Sequence, residues 1–249
     1  MTLADLPTAT LSEHAGVRYL HLDSIWVQGA MRLAKPQAIE LEYVQRMMAW
    51  MLWRPTAELN EGHAVQLGLG AGAITRFCHK VLKMRTTAVE LNPTVIHANR
   101  LWFRLPADDA RLRVVQADAG RWVRETAHRH TAQVLCVDLY DHEAAAPVLD
   151  DVAFYAACRD VLDEGGLMSV NLFGRHASFA RSAAHVAAAF GLDQVWQLRP
   201  TKEGNTVLVA ARGVTVPGRD ELTARAAHIE HQYGLPARKW LRMVKPLAL

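Results

Sequence analysis

Residues 64–73 read AVQLGLGAGA, a short apolar run that passes directly into a glycine-rich turn. An apolar run followed at once by closely spaced glycines is typical of a buried strand that turns tightly into a helix. Glycine also lets a ligand approach the backbone, because no side chain stands in the way. The pattern predicts a strand at Ala64–Leu69 and a ligand-binding turn that contains Gly68, Gly70 and Gly72.

The alternation of strand and helix patterns continues from this turn to about residue 212. Further apolar strands are predicted at Arg85–Leu91, Leu112–Ala117, Gln133–Val137 and Leu167–Phe173. Helices are predicted at Ala73–Leu82, Pro93–Phe103, Gly120–Ala127, Asp151–Leu162 and Ser178–Phe190. Strands that alternate with helices in this way are typical of a doubly wound parallel sheet with both faces covered.

The last two predicted strands break the alternation. Gln194–Leu198 and Thr206–Ala211 are joined by a loop without a helix, so they form a hairpin that puts one antiparallel strand into the sheet. We therefore predict an α/β protein with a doubly wound, mostly parallel seven-stranded sheet and one antiparallel strand. Class I S-adenosylmethionine methyltransferase folds resemble this arrangement, whereas nicotinamide-binding Rossmann folds do not.

Smaller units are predicted on either side of the sheet. Val17–Leu22 and Ser24–Gln28 alternate apolar and polar residues, which predicts a hairpin with its turn near Asp23. Gln37–Trp53 has apolar residues at helical spacing and stops before Pro55. We predict three units: a β-hairpin appendage with a helix at 1–55, a nucleoside-binding domain at 56–213, and a C-terminal helix (Asp220–Tyr233) with a basic tail at 214–249.

Composition and charge exclude several classes of protein. The chain has 249 residues, of which 51% are hydrophobic and 21% charged, so it is not a disordered chain. Its net charge is +3, and its basic residues are not clustered as they are in a dedicated nucleic-acid binder. No apolar stretch is long enough to span a membrane. Residues 1–7 lack the features of a signal peptide, and the three cysteines lie far apart. We expect a cytoplasmic protein that binds neither nucleic acid nor membranes.

A metal site is not expected. His228 and His231 lie three residues apart on the predicted C-terminal helix, beside Glu230. This spacing could supply half of a metal site, but the sequence offers no further set of ligands to complete it. The protein is therefore expected to use no metal.

Acidic residues follow three further strands of the predicted sheet. Glu90 ends the second strand, Asp118 follows the third, and Asp138 and Asp141 follow the fourth. The carboxyl ends of parallel strands meet at one edge, where open α/β sheets bind their ligands. Carboxylates there can accept hydrogen bonds from ribose hydroxyls and from an adenine amine. They also attract cations, such as a sulfonium donor or a protonated amine.

These residues leave several functions open. The glycine spacing also fits a dinucleotide, but the second acid, Asp118, favours an S-adenosyl ligand. Transfer to an amine needs a base close to the nitrogen, and Asp138 or Asp141 is placed for that role. The transferred group could be aminopropyl or methyl. A nucleoside-binding protein without turnover is the alternative of another class.

Over about residues 16–212 the sequence resembles the spermidine synthase (polyamine aminopropyltransferase) family. The resemblance rests on Val27-Gln28, Glu42-Tyr43, Gly68–Gly72, Glu90, Asp118-Ala119 and Asp138–Asp141. It implies an S-adenosyl donor, either S-adenosylmethionine or its decarboxylated form, bound by the residues Gln28, Gly68, Gly70, Gly72, Glu90, Asp118 and Ala119. It further implies that Asp138 accepts the proton, that Asp141 binds a small-molecule amine acceptor, and that the protein is a homodimer.

Three positions depart from the family pattern. Ala71 replaces the aspartate that binds the aminopropyl ammonium of the donor, Val44 replaces a histidine or glutamine, and the segment that ends at Asn205 lacks the usual aromatic residue. A hydrogen bond to a charged group is worth about 1.5–3 kcal/mol, so the missing aspartate predicts a donor affinity lower by about 10- to 100-fold. Aminopropyl transfer is the first hypothesis, and methyl transfer is the second.

Overall fold

The computed structural model describes residues 6–140, 149–173 and 177–249. A small antiparallel sheet near the N-terminus contains β1 (Ala9–His14), β2 (Val17–Leu22) and β3 (Gly29–Arg32). The main sheet contains β4 (His63–Leu67), β5 (Arg85–Glu90), β6 (Leu112–Gln116), β7 (Ala132–Val137), β8 (Leu162–Phe173), β9 (Val195–Gln197), β10 (Asn205–Ala211) and β11 (Lys245–Pro246). The helices are α1 (Glu42–Met47), α2 (Ala73–Arg76), α3 (Pro93–Trp102), α4 (Ala119–Trp122), α5 (Val152–Val161), α6 (Ala177–Phe190), α7 (Arg219–Tyr233) and α8 (Ala237–Met243).

The main sheet has the strand order β11-β9-β10-β8-β7-β4-β5-β6. Neighbours from β6 to β8 pair in parallel, and β10 runs antiparallel to both β8 and β9. The predicted doubly wound sheet with one antiparallel strand is therefore confirmed for these seven strands. The short β11 adds an eighth strand, antiparallel to β9, that the sequence did not indicate. The strand order reverses between β4 and β7, which is where such sheets bind ligands.

The central strands bury alternate side chains against opposite faces of the sheet. On β7, Val134 and Cys136 pack on the face that α1, α7 and α8 cover. Leu135 and Val137 pack on the face that α4, α5 and α6 cover. A third apolar cluster, which includes Leu20 of β2, joins the small sheet to α3. Both faces are thus buried, as a parallel sheet requires.

The N-terminal appendage differs from the predicted hairpin. Its hairpin pairs β1 with β2, and its turn is Ala15-Gly16, whose φ angles are 49° and 74°. Two positive φ angles are typical of a type I′ turn, which suits two twisted strands. The predicted reversal near Asp23 is also present, because β2 pairs antiparallel with β3 around residues 23–28, but the second strand is Gly29–Arg32 and not Ser24–Gln28. Residues 24–28 form a loop instead of a strand, because Ile25 is 87% exposed and lines a cavity rather than the core.

The ends of other elements also differ from the sequence expectation. The helix predicted at Gln37–Trp53 begins only at Glu42 and finishes in a 3₁₀ turn at Met48–Leu52. The unpredicted α8 buries Trp240 in the core beside α7. None of the helices in the described ranges combines the length and apolar character that a membrane span needs. The division of the chain at residues 55 and 213 stays a prediction.

A buried histidine makes the stability of this fold depend on pH. His63 begins β4 and is 7% exposed, and its ring nitrogens lie 2.8 Å from Thr87 Oγ1 and 3.2 Å from the Thr131 carbonyl oxygen. Burial lowers the pKa of His63 to about 4, so the folded protein binds this proton less tightly than the unfolded chain does. The stabilisation is complete above about pH 6.5. The free energy of unfolding should therefore fall between about pH 6.5 and pH 4, by up to about 3 kcal/mol.

Urea denaturation at several pH values checks this expectation. Carboxylates also titrate in that range, so the informative quantity is the difference in pH dependence between the wild type and His63→Gln. The variant should lose stability at pH 7 but show a shallower decline towards pH 4. Equal declines in the two proteins would contradict the role given to His63.

Candidate functional site

A cavity of about 720 Å³ opens at the carboxyl ends of β4, β5, β6 and β7. The predicted site residues that line it are Gln28, Gly68, Gly70, Glu90, Asp118, Ala119 and Asp138. Gly72 belongs to the same turn but lies behind this lining. Asp141 falls outside the described residues. The sequence predicts that these residues meet at one site. All of them that the structure describes line this cavity, except Gly72.

The glycines of the turn are required by both conformation and space. Gly68, Gly70 and Gly72 have φ angles of 83°, 50° and 66°, which other residues rarely adopt. A Cβ atom on Gly68 would lie 2.1 Å from the Asp138 carbonyl oxygen, and one on Gly70 would lie 2.8 Å from the Gln28 carbonyl oxygen. The turn therefore packs so closely against the ends of β7 and β3 that no side chain fits at Gly68 or Gly70.

Gly68→Ala is expected to lower the free energy of unfolding by about 2–4 kcal/mol and to abolish nucleoside binding, because the new methyl group must displace the backbone of Asp138. Gly165→Ala is the matched control: Gly165 has a similar φ of 76°, but nothing lies within 4 Å of its Cβ position. The control should show only the conformational cost, about 1 kcal/mol. Equal losses in urea denaturation would contradict the steric argument.

Glu90 is fixed by backbone amides at the end of β5. The amide of Leu69 donates to Oε2 and the amide of Asn92 donates to Oε1, each at 2.8 Å. Burial raises the pKa of Glu90, and the amide hydrogen bonds oppose that shift. Each carboxylate oxygen has a second lone pair, so this side chain is oriented and can still accept hydrogen bonds from ligand hydroxyls.

Asp118 begins α4 and shares its carboxylate with the helix. Oδ1 accepts a hydrogen bond from the Arg121 amide at 2.8 Å, as an N-cap residue does. No hydrogen bond from another described residue reaches Oδ2. Asp118 can therefore cap the helix and also accept a hydrogen bond from a ligand, beside the small, buried Ala119.

Asp138 is held by two side-chain hydrogen bonds at the end of β7. Asn171 Nδ2 donates to Oδ1 at 2.9 Å, and the Tyr43 hydroxyl donates to Oδ2 at 3.2 Å. Burial raises the pKa of Asp138 to about 6, and both hydrogen bonds limit the rise. A carboxylate with this pKa is ionised at neutral pH and is a stronger proton acceptor than an exposed one.

Asn171 is the residue of this cluster that sequence reasoning missed. It receives a hydrogen bond on its side-chain oxygen from Asn205 Nδ2 at 3.1 Å, and its backbone oxygen accepts from the Tyr140 hydroxyl at 2.9 Å. Its signal in the sequence is an amide near the carboxyl end of the mostly apolar segment Leu167–Phe173. Asn205, which the sequence marks only as a departure from the family pattern, thus orients Asp138 through Asn171.

The cavity is acidic although the whole chain carries a positive charge of +3. Glu42 and Glu203 line it together with Glu90, Asp118 and Asp138, and no lysine or arginine belongs to the lining within the described parts of the chain. Two unit charges 4 Å apart interact by about 4 kcal/mol at an effective dielectric constant of about 20. The cavity therefore favours positively charged ligands.

Ala71 lies beside the main cavity and does not line it. The residue is 3% exposed, and an ideal Cβ atom on Gly29 would lie only 2.6 Å from the Ala71 Cβ. A smaller cavity of about 20 Å³ connects the position to Tyr43, Val44 and Asp138. Two of the three departures from the family pattern thus border one confined space next to Asp138 and Tyr43.

Metal binding finds no support in the described ranges. They contain no group of three or more histidine, cysteine, aspartate or glutamate side chains that could hold a metal ion. The His228 ring instead packs against the Tyr233 ring in a T-shaped arrangement, with a centroid distance of 6.2 Å. The expectation that the protein uses no metal stays a prediction.

Comparison with known proteins bears on the identity of this site. No family model matches the sequence. A polyamine aminopropyltransferase of Neisseria meningitidis is 30% identical over 241 residues, which cover 96% of this chain and 89% of that protein. A probable spermidine synthase from Corynebacterium glutamicum has a TM-score of 0.71 at 21% identity, covering 94% of this chain and 90% of that one. Human methyltransferase-like protein 13, solved in complex with SAH, has a TM-score of 0.69 at 22% identity, covering 84% and 96%.

The structural likenesses confirm the predicted methyltransferase-like α/β fold. The sequence likeness shows more than the fold, because it reaches 30% identity and extends over nearly the whole of both chains. As the motif resemblance predicted, the chain belongs to the polyamine aminopropyltransferase family and is a transferase.

Proposed function

We propose that the protein transfers the aminopropyl group of decarboxylated S-adenosylmethionine to a small amine acceptor. The observation that carries this proposal is Asp138, a buried carboxylate with a pKa of about 6 in an acidic cavity that it shares with the glycine turn and Glu90. A proton acceptor and a nucleoside cradle in one cavity meet the needs of transfer to an amine.

The reaction moves one carbon chain and one proton. The lone pair of the acceptor nitrogen attacks the carbon next to the sulfonium, so a carbon–nitrogen bond forms as the carbon–sulfur bond breaks. The electron pair of that bond stays on sulfur, and the neutral thioether methylthioadenosine leaves. The nitrogen gives its proton to Asp138, while Tyr43 and Asn171 hold the carboxylate in place.

The other cavity residues bind the donor nucleoside. Glu90 accepts hydrogen bonds from the ribose hydroxyls, and Asp118 accepts one from the adenine amine. Gly68 and Gly70 let the ligand approach the backbone of the turn, and Gln28 lies against the donor. The acidic lining supports this assignment, since both the sulfonium and an ammonium acceptor are cations.

Three further assignments are part of this proposal. The family resemblance implies that Asp141 binds the acceptor amine and that the protein is a homodimer, and the composition of the chain predicts a cytoplasmic location. These assignments stay predictions. Sedimentation of the purified protein would check the dimer.

Calorimetry tests the nucleoside site. Wild type should bind methylthioadenosine, and Glu90→Ala should weaken that affinity by at least about 100-fold, because two hydrogen bonds to a charged carboxylate, each worth about 1.5–3 kcal/mol, are lost. Glu164→Ala is the control, since Glu164 is exposed and lies at the end of β8 that is remote from the cavity, where it pairs with Arg212. Equal affinity of wild type and Glu90→Ala would remove Glu90 from the site. No binding of methylthioadenosine or of either S-adenosyl donor would refute the proposed function.

The pH dependence of turnover reports on Asp138. The carboxylate must be ionised to accept a proton, so kcat/KM should fall as the pH drops below about 6. Both hydrogen bonds to this carboxylate lower its pKa. Tyr43→Phe and Asn171→Leu should therefore each raise that pKa and move the acidic fall of kcat/KM to higher pH. The larger shift is expected for Asn171, whose hydrogen bond lowers the pKa more. If kcat/KM falls at the same pH in wild type and in both variants, another group titrates.

A further inference from the structure

The glycine turn is held from behind by two buried side chains, Arg76 of α2 and Asn99 of α3. Asn99 Nδ2 donates to the Gly70 carbonyl oxygen at 2.7 Å. Arg76 Nη1 donates to the Ala71 carbonyl oxygen, and its Nε donates to the Pro36 carbonyl oxygen at 2.9 Å. Neither side chain lines the cavity. Two successive carbonyl groups of the turn are therefore bound from outside the ligand site.

These two side chains are buried at a cost that the fold must offset. Arg76 is 2% exposed and Asn99 is fully buried. Burial lowers the pKa of Arg76 to about 10, and no salt bridge to it is found among the described residues. A buried guanidinium without an anion is expensive, so carbonyl oxygens must supply its compensating negative charge. The two carbonyl groups that accept from Arg76 belong to Pro36 and to Ala71 of the turn itself, which ties the position of the turn to Arg76.

The turn needs such support because of its composition. Three glycines with positive φ angles have more conformational freedom to lose than other residues, and a turn that became ordered only on binding would weaken the affinity. A trans peptide places its C=O and N–H on opposite sides. Fixing the Gly70 carbonyl group from behind therefore fixes the Ala71 amide on the side of Gly29, whose ideal Cβ position lies 2.5 Å from that nitrogen.

Gly72 shows how closely the supports approach the turn. A Cβ atom there would lie 2.7 Å from Asn99 Oδ1 and 3.2 Å from Arg76 Nη1. A side chain at position 72 would collide with both supports, so this position requires glycine. This explains why Gly72 matches the family motif although it does not line the cavity.

We propose that Arg76 and Asn99 are positioning residues for the donor nucleoside: they hold the glycine turn in its binding shape before the ligand arrives, and they do not contact it. The inference rests on the proposed function, because it takes the nucleoside as the ligand of the turn. Loss of either support should weaken donor affinity and leave the KM of the amine acceptor unchanged.

Calorimetry with methylthioadenosine on the full chain tests this role. Arg76→Lys removes the forked donor, and the shorter side chain of Asn99→Ser cannot reach the Gly70 carbonyl group. Each variant should raise the Kd about tenfold. The matched control is Arg225→Lys, since Arg225 is also buried and donates to a carbonyl oxygen, that of Leu52 at 3.1 Å, but lies on α7 away from the cavity. It should lower the melting temperature without changing the Kd.

The outcomes separate this inference from the proposed function. If wild type binds and both folded variants bind within twofold of it, the positioning role is wrong and the proposed function stands. If Arg225→Lys weakens binding as much as they do, the effect is a general loss of structure and the inference is again wrong. If wild type binds neither methylthioadenosine nor either S-adenosyl donor, both fail. Should Arg76→Lys not fold, Asn99→Ser decides the test.

Discussion

Replacing Asp138 with asparagine is expected to lower the rate of aminopropyl transfer by about 10²- to 10⁴-fold and to leave the affinity for methylthioadenosine within a few-fold. The substitution removes the group that accepts the proton of the attacking amine. It keeps the size and shape of the side chain, so the nucleoside half of the cavity is not altered. Single-turnover rates and calorimetry on the same preparation measure the two quantities.

The hydrogen bonds around position 138 allow the substituted side chain to keep its orientation. The new amide oxygen can accept from Asn171 Nδ2, as Oδ1 of the aspartate does at 2.9 Å. The new amide nitrogen can donate to the Tyr43 oxygen, because the phenolic hydroxyl can rotate and become the acceptor. The variant should therefore fold, and its loss of rate reports the lost base.

Asp118→Asn is the matched control, because it changes a second cavity carboxylate in the same way. The substituted side chain can still cap α4 but presents an amide near the proposed adenine position, so it should weaken nucleoside binding and affect the saturated rate much less. An unchanged rate in Asp138→Asn would eliminate Asp138 as the proton acceptor. Equal losses of rate in the two variants would also count against a specific role for Asp138.

The parts of this site that could be read from the sequence are those fixed by local pattern. The sequence predicts that strand β4 with its glycine turn and the acids Glu90, Asp118 and Asp138 meet at one edge of the sheet. The prediction succeeded because parallel strands bring their carboxyl ends together whatever the details of packing. An acid directly after an apolar strand is thus placed by topology alone.

The parts that escaped prediction depend on contacts between distant segments. Asn171 and Asp138 are 33 residues apart in the chain, and Asn205 joins them from another strand. The loop that contains Ile25 alternates like a strand, yet its apolar side chains face the cavity instead of a partner strand. The edge strand β11 has two residues, too few to carry any periodic signal.

Placing an aspartate at Ala71 is expected to raise the preference for the decarboxylated donor over intact S-adenosylmethionine by about 10- to 100-fold. The family resemblance assigns an aspartate at this position to the ammonium of the aminopropyl chain. A carboxylate there would attract that ammonium and repel the carboxylate of the intact donor, so both effects act in the same direction. Wild type lacks both effects, which predicts weak discrimination. Competition binding of the two donors, before and after the substitution, measures the change.

Ala71→Asn is the control, since it adds the same volume without the charge. Position 71 borders a cavity of only about 20 Å³, so both substitutions should cost stability to a similar degree. Only the charged variant should change the donor preference, and equal preferences in the two variants would contradict the electrostatic argument.

The preference of the wild type between the two donors shows whether alanine in place of aspartate at position 71 changes the reaction. If wild type already favours the decarboxylated donor by roughly a thousandfold, more than about 4 kcal/mol, another acid must bind the ammonium, and Glu42, Asp138 and Glu203 are the candidates that line the cavity. If wild type binds both donors equally, the tail is not recognised at all, and methyl transfer from the intact donor regains support. Asp138 and its partners would then accept a proton in either reaction, because attack by an amine on a sulfonium carbon releases one in both cases.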